Sequence, residues 1–117
     1  MRNEAVAPAT RRRVRRSPGD RLRTAVLGLA GKGAQLARHS EKGWASITFA
    51  GTRHTFELVF DTDVIGAGEA FVAALPDHEF AIPGQLVADA TVAAAETTLL
   101  PQPRLAVTCE LLLLEEA

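Results

Sequence analysis

Cysteine occurs once in the 117 residues, tryptophan and methionine once each, and tyrosine not at all. The lone Cys109 can close no disulfide within the chain and supports no multi-cysteine metal site, so a reducing, cytoplasmic setting is expected. Apolar runs are short: Ala25 to Ala30 and Leu111 to Leu114 fall far below the ~20 residues of a membrane-spanning helix, and no membrane contact is expected. The arginines ahead of Ala25 imitate the charged lead of a secretory signal, but Asp20 interrupts the passage and Lys32 cuts the apolar run. No Gly-x-Ser-x-Gly elbow is present; Ser17, Ser40 and Ser46 fall at an expected cap, turn and strand. Gly28 to Gly33 gathers three glycines around Lys32. Because Gly33 follows that lysine and a helix precedes it, the segment does not fit a phosphate loop.

What is present is a division of charge hidden by a net value of −1. Residues 1 to 23 carry eight arginines against Glu4 and Asp20, whereas the rest of the chain sets five bases against twelve acids. A basic arm on an acidic body bears on solubility and partners, not on fold. Residues 1–16 hold too little apolar surface to offset the entropy of ordering them, which predicts a disordered arginine-rich arm. Residues 17–117, in a chain that is 47% hydrophobic, suffice for one domain with a thin core.

Ser17-Pro18-Gly19-Asp20 reads as a helix start with a capping box, and Leu22, Ala25, Val26, Leu29 and Ala30 keep helical spacing up to Gly31. Leu36 and Ala37 continue the same spacing, so the sequence leaves residues 31–39 open between a continued helix and, if the glycines end it near Gly31, an extended Ala34 to His39. Trp44 to Ala50 and Arg53 to Phe60 alternate in period two around Gly51-Thr52, which predicts a tight hairpin with Ala50 opposite Arg53 and Ile47 opposite Phe56. Asp61-Thr62-Asp63 offers caps for a second helix, with Val64, Ile65, Gly68, Phe71, Val72 and Leu75 as its inner stripe before Pro76. Phe80 and Ile82 suggest a short extra strand, and Pro83-Gly84 a bend. The β-branched residues of Leu86 to Leu99 and the short Pro101-Gln102-Pro103 link predict a second hairpin returning through Arg104 to Glu115. Leu105, Val107, Cys109, Leu111 and Leu113 fall on one face of that return strand. The predicted fold class is α+β: an antiparallel sheet of four to five strands with two helices on one face, in the order α-β-β-α-β-β-β. The two halves repeat an order of elements without visible identity of sequence.

Candidate chemistry is sparse. His54 lies on the apolar side of its strand, and Asp77-His78-Glu79 concentrates ionisable groups after the second helix; together they are the candidate ligand site, although neighbours on extended chain point apart. His39 and Glu41 sit in a polar link read as a turn. Cys109, mid-strand among apolar residues, reads as a buried structural thiol. No catalytic constellation is recognisable, and neither cofactor nor metal is expected.

Three functional classes follow. A non-catalytic self-associating or protein-interaction module ranks first, because two helices cover one side of a sheet whose last hairpin looks apolar or small on both faces. A homodimer is the expected form, with Trp44, Val87, Thr91, Leu112 and Leu114 as interface candidates. Arg11, Arg12, Arg13, Arg15 and Arg16 could neutralise phosphates, so a nucleic-acid accessory role is the second class, weakened by an acidic body without an aromatic stacking platform. A small enzyme or ligand-binding domain using His54, Asp77, His78 and Glu79 is the third.

Overall fold

The fold described by a computed structural model covers residues 16–116. The arm that the sequence predicts to be disordered lies, apart from Arg16, outside the described residues. Helix α1 spans Pro18–Ala30, strand β1 Ala34–Ala45, strand β2 Ala50–Asp61, helix α2 Ile65–Ala74, strand β3 Gln85–Thr98 and strand β4 Arg104–Glu115. The strands form one antiparallel sheet in the spatial order β1-β2-β4-β3. This is the α+β class expected, in the order α-β-β-α-β-β. Among the described residues no helix is long and apolar enough to cross a membrane.

Local chemistry fixes most element boundaries. The amide of Asp20 donates to Ser17 Oγ at 3.0 Å and the Ser17 amide donates to the Asp20 carboxylate at 3.3 Å, the reciprocal capping box expected. Such a cap contributes about 1 kcal/mol to a helix. At the other end Gly31 takes φ +97°, a conformation that stops α1 and that side chains rarely adopt. Pro83 and Gly84, the latter at φ +76°, turn the chain between Ile82 and Gln85, whose amide donates back to the Ile82 carbonyl at 3.0 Å. The extra strand expected around Phe80 and Ile82 reduces to a single bridge between Ile82 and Gln85, because that turn leaves no length to pair. The expected caps of the second helix are engaged elsewhere: Asp61 pairs with Arg104 at 3.0 Å and Thr62 Oγ1 donates to the Pro103 carbonyl at 2.6 Å. A single 3-10 turn, Thr62–Val64, leads into α2 instead.

The first hairpin departs from expectation. Gly51 and Thr52 lie inside β2, and the turn is Ser46 to Phe49, with Ala45 opposite Ala50 and Trp44 opposite Gly51. Ser46 decides this. Its amide donates to the Phe49 carbonyl at 2.8 Å while its hydroxyl accepts from the amides of Thr48 and Phe49, closing a four-residue loop. Gly51 serves a close approach rather than a turn: a Cβ there would stand 1.9 Å from the Leu113 carbonyl oxygen of β4. Ile47, expected to face Phe56, is fully exposed on the loop.

The core lies between the helices and one sheet face. Leu22, Val26 and Ala30 of α1 and Phe71 of α2 meet Phe56, Leu58 and Phe60 of β2 and the five alternating residues of β4 that the sequence singled out. Helix α2 sits so near the sheet that a Cβ on Gly68 would come within 2.7 Å of the Phe60 ring. Strands β1 and β3 are the edges, and each carries bulges, at Ala37 in β1 and at Ala88 and Ala93 in β3.

Gly51→Ala is expected to lower stability by about 1–3 kcal/mol, the usual cost of overpacking. Gly43→Ala, with open space around it, stays within about 0.5 kcal/mol. Urea midpoints of the two variants measure the difference, and equal midpoints contradict the close β2–β4 approach.

Candidate functional site

The bulge at Ala37 sets what β1 presents to the helices. Before it, Ala34 and Leu36 lie opposite Phe60 and Leu58; after it the phase changes, and His39 and Glu41 lie opposite Phe56 and His54. A bulge of this kind re-aims side chains at a sheet edge. His39 and Glu41, expected in a turn, are therefore mid-strand on the inner face. His54 is on the apolar side as expected and only 1% exposed.

The rings form a directed chain of hydrogen bonds. Arg23 of α1 donates through Nε to His39 Nδ1 at 3.1 Å. A guanidinium can only donate, so His39 Nδ1 is the acceptor and the proton of this neutral ring sits on Nε2. That N–H donates to His54 Nδ1 at 2.9 Å, and His54 Nε2–H in turn donates to Thr52 Oγ1 at 2.8 Å. His39 also stacks on Phe56 with ring centres 4.1 Å apart. Both nitrogens of the buried His54 are thus satisfied, which is what burial of a polar ring requires.

Burial lowers the pKa of His39, with His54 and then Arg23 adding to the effect, while Glu41 and Asp20 oppose it. Burial likewise lowers that of His54, against a small opposing pull from Glu41. Glu41, exposed, completes a group in which one ligand atom from each of His39, Glu41 and His54 lies within 4.8 Å of the others, the triad among the described residues with metal-ligand spacing. Gly19 makes the room: a Cβ there would stand 3.2 Å from Glu41 Oε2 and 3.3 Å from His54 Cε1. The group opens beside a cleft of about 400 Å³ lined by Ser17, Gly19, Glu41, Thr52, Gln85 and Glu115, among others.

As wired, neither ring is a base toward Thr52. The acceptor nitrogens face Arg23 and the partner ring, and Thr52 Oγ1 receives a proton from His54 rather than losing one. Thr52 is therefore not an activated nucleophile in this arrangement.

Other sequence candidates fall apart in space. Asp77, His78 and Glu79 are exposed, with His78 edge-on to Phe80 at 4.4 Å, and the turn that carries Asp77 packs toward β3. The side-chain partners of His54 lie instead on β1 and β2. Of the arm arginines, Arg16 is described; its guanidinium contacts the Asp20 carbonyl and Thr24 Oγ1 on α1, and Arg11, Arg12, Arg13 and Arg15 lie outside the described residues. Trp44 and Val87 are half-buried and Thr91 exposed, but Val87, opposite Leu113, faces the helices. Leu112 and Leu114 lie on the opposite side and are already buried in the single chain, each only 8% exposed. Sequence reasoning missed Gly19, Arg23, His39, Glu41 and Thr52 as one group. The alternation of His39 and Glu41 was visible, but it is out of phase with Ala34 and Leu36 unless a bulge intervenes.

Two outcomes follow. Because both histidines hold a lowered pKa, the fold binds fewer protons than the unfolded chain between the lowered values and about 6.5. Stability is full above that range and falls as pH drops through it. Melting of chelator-treated protein from pH 8 to 5 should show the loss, and His39→Gln should flatten it; a pH-independent Tm contradicts the neutral pair. Cys109, buried and with its pKa pushed up to about 12, should ignore a disulfide reagent in the native state and react in denaturant.

No protein-family model, curated protein or solved structure matches the chain, so its functional reading rests on its own geometry.

Proposed function

We propose that this chain is a non-catalytic interaction module that pairs with a second copy of itself through the apolar end of its sheet. The observation that carries the reading is the exposure there. Ile47 is fully exposed and Phe49 is 51% exposed at the β1–β2 loop; Leu86, in the same row of the sheet as Trp44, Gly51 and Leu114, is also 51% exposed. Large apolar side chains gathered at one end of a small protein mark an interaction surface more often than scattered ones do.

The rest of the outer face is not apolar. Successive rows carry Lys42, Arg53 and Asp89 around the buried Leu112, then Ser40, Thr55, Glu110 and Thr91, mostly groups suited to water. Self-association through the whole uncovered face therefore has little support. Leu112 and Leu114 have little area left to bury, so the interface candidates shift to Trp44, Ile47, Phe49 and Leu86. Edge-to-edge pairing of β3 is disfavoured by its two bulges and by Asp89 and Glu96. Side-chain packing between equivalent ends uses the patch of Ile47, Phe49 and Leu86 directly, and a two-fold dimer uses it twice; Leu99 and Leu100, in the loop between β3 and β4, are exposed at the far end of the sheet. The non-catalytic part rests on the occupied nitrogens of His39 and His54.

Sedimentation equilibrium at low micromolar concentration should give twice the chain mass. Ile47→Ser combined with Phe49→Ser should give the monomer with Tm nearly unchanged, since exposed substitutions seldom cost more than about 0.5 kcal/mol. A monomeric parent chain at 100 micromolar overturns the proposal.

A further inference from the structure

We propose that His39, Glu41 and His54 form a binding site for one divalent first-row transition metal ion, which Arg23 holds closed in the metal-free chain. The donor set is two imidazole nitrogens and one carboxylate, the borderline mixture that zinc and its neighbours prefer. The facing nitrogens, His39 Nε2 and His54 Nδ1, stand 2.9 Å apart. Two nitrogens at zinc bonding distance in a tetrahedral site are separated by about 3.3 Å, so an ion fits after the rings part by a few tenths of an ångström.

Surroundings supply what such ligands need. With His54 ligating through Nδ1, its Nε2–H already donates to Thr52 Oγ1 at 2.8 Å, the outer hydrogen bond that orients a metal-bound histidine. Gly19 spends helix propensity at a position of ordinary backbone geometry, and a side chain there would press on Glu41 and His54. The adjoining cleft of about 400 Å³ gives water or a small ligand access to positions that the three residues leave open.

Arg23 is the opposing element. A His39 that ligates through Nε2 must carry its proton on Nδ1, and that N–H would face the Nε–H of Arg23, now a donor 3.1 Å away. Metal entry therefore shifts one proton within His39 from Nε2 to Nδ1 and turns the half-buried Arg23 away. Asp20, one turn earlier on α1, attracts the displaced guanidinium. No proton leaves the site at neutral pH, because both rings are neutral beforehand. All three ligands come from one chain, so binding does not depend on self-association.

The test is titration of the full chelator-treated chain with Co²⁺, read by its visible absorption, and competition by Zn²⁺. One ion per chain with micromolar affinity is expected. His39→Gln and Glu41→Gln should each weaken binding at least ~10-fold, while His78→Gln leaves it unchanged, circular dichroism confirming that each variant is folded. Arg23→Gln, whose carbonyl can accept from His39 Nδ1–H, should tighten binding by about 10-fold. Binding weaker than millimolar, or unaffected by His39→Gln, overturns the site; weaker binding by Arg23→Gln overturns the gate.

Discussion

The pairing of β2 with β4 is the contact on which the rest of the molecule depends. Each helix–hairpin half has its second strand at the centre of the sheet, and that antiparallel ladder, from Gly51 opposite Leu114 to Asp61 opposite Arg104, joins the two halves. Its inner side contributes Phe56, Leu58 and Phe60 against Cys109, Val107 and Leu105, all buried, and both helices pack on that floor. Hydrophobic burial on this scale is worth roughly 1.5–3 kcal/mol per large side chain, far more than the half-exposed Asp61–Arg104 pair at the end of the ladder. Gly51 is the condition for it. Where β2 comes within 1.9 Å of a would-be Cβ contact, the strands stay paired because no side chain intervenes.

Against that apolar floor His54 is the exception, a polar ring placed between Thr52 and Phe56. It is tolerated because His39 and Thr52 satisfy both its nitrogens, and His39 reaches it because the bulge at Ala37 turns the edge strand by one residue. The same displacement brings Glu41 inward and lets Arg23 cap the chain of bonds from α1. One local irregularity thus converts a charged edge strand into a cluster of two imidazoles, a carboxylate and a guanidinium beside a cleft. Low dielectric strengthens such a network while every member is paired and makes an orphaned member costly.

The two sides of the sheet obey different rules. Helices demand continuous apolar contact on the inner face, whereas the outer face needs none along most of its length, and its rows of Lys42, Arg53, Thr55 and Glu110 reflect that freedom. Large apolar side chains are exposed at both ends of the sheet: Ile47, Phe49 and Leu86 where β1 turns into β2 and β3 begins, and Leu99 and Leu100 in the loop between β3 and β4. Two bulges, with Asp89 and Glu96, disfavour pairing of the exposed β3 edge with another strand.

Sequence alone determined the features that depend on near neighbours. Ser17 and Asp20 announce a helix start, Pro83-Gly84 a turn, and the alternation of Leu105 to Leu113 a strand with one buried side, because caps, turns and pleats are set within a few residues. The class of fold followed, since apolar stripes of those periods pack in few ways. Tertiary structure decided the rest. The loop at Ser46 displaced the expected Gly51-Thr52 turn because the glycine was needed by β4, more than sixty residues away in the chain. The bulge at Ala37 has no mark in a stretch that reads Arg-His-Ser-Glu-Lys with no apolar residue to show which side faces in. Arg23, His39, Glu41 and His54 meet only when a helix, an edge strand and a central strand are stacked, and no spacing along one chain encodes that meeting.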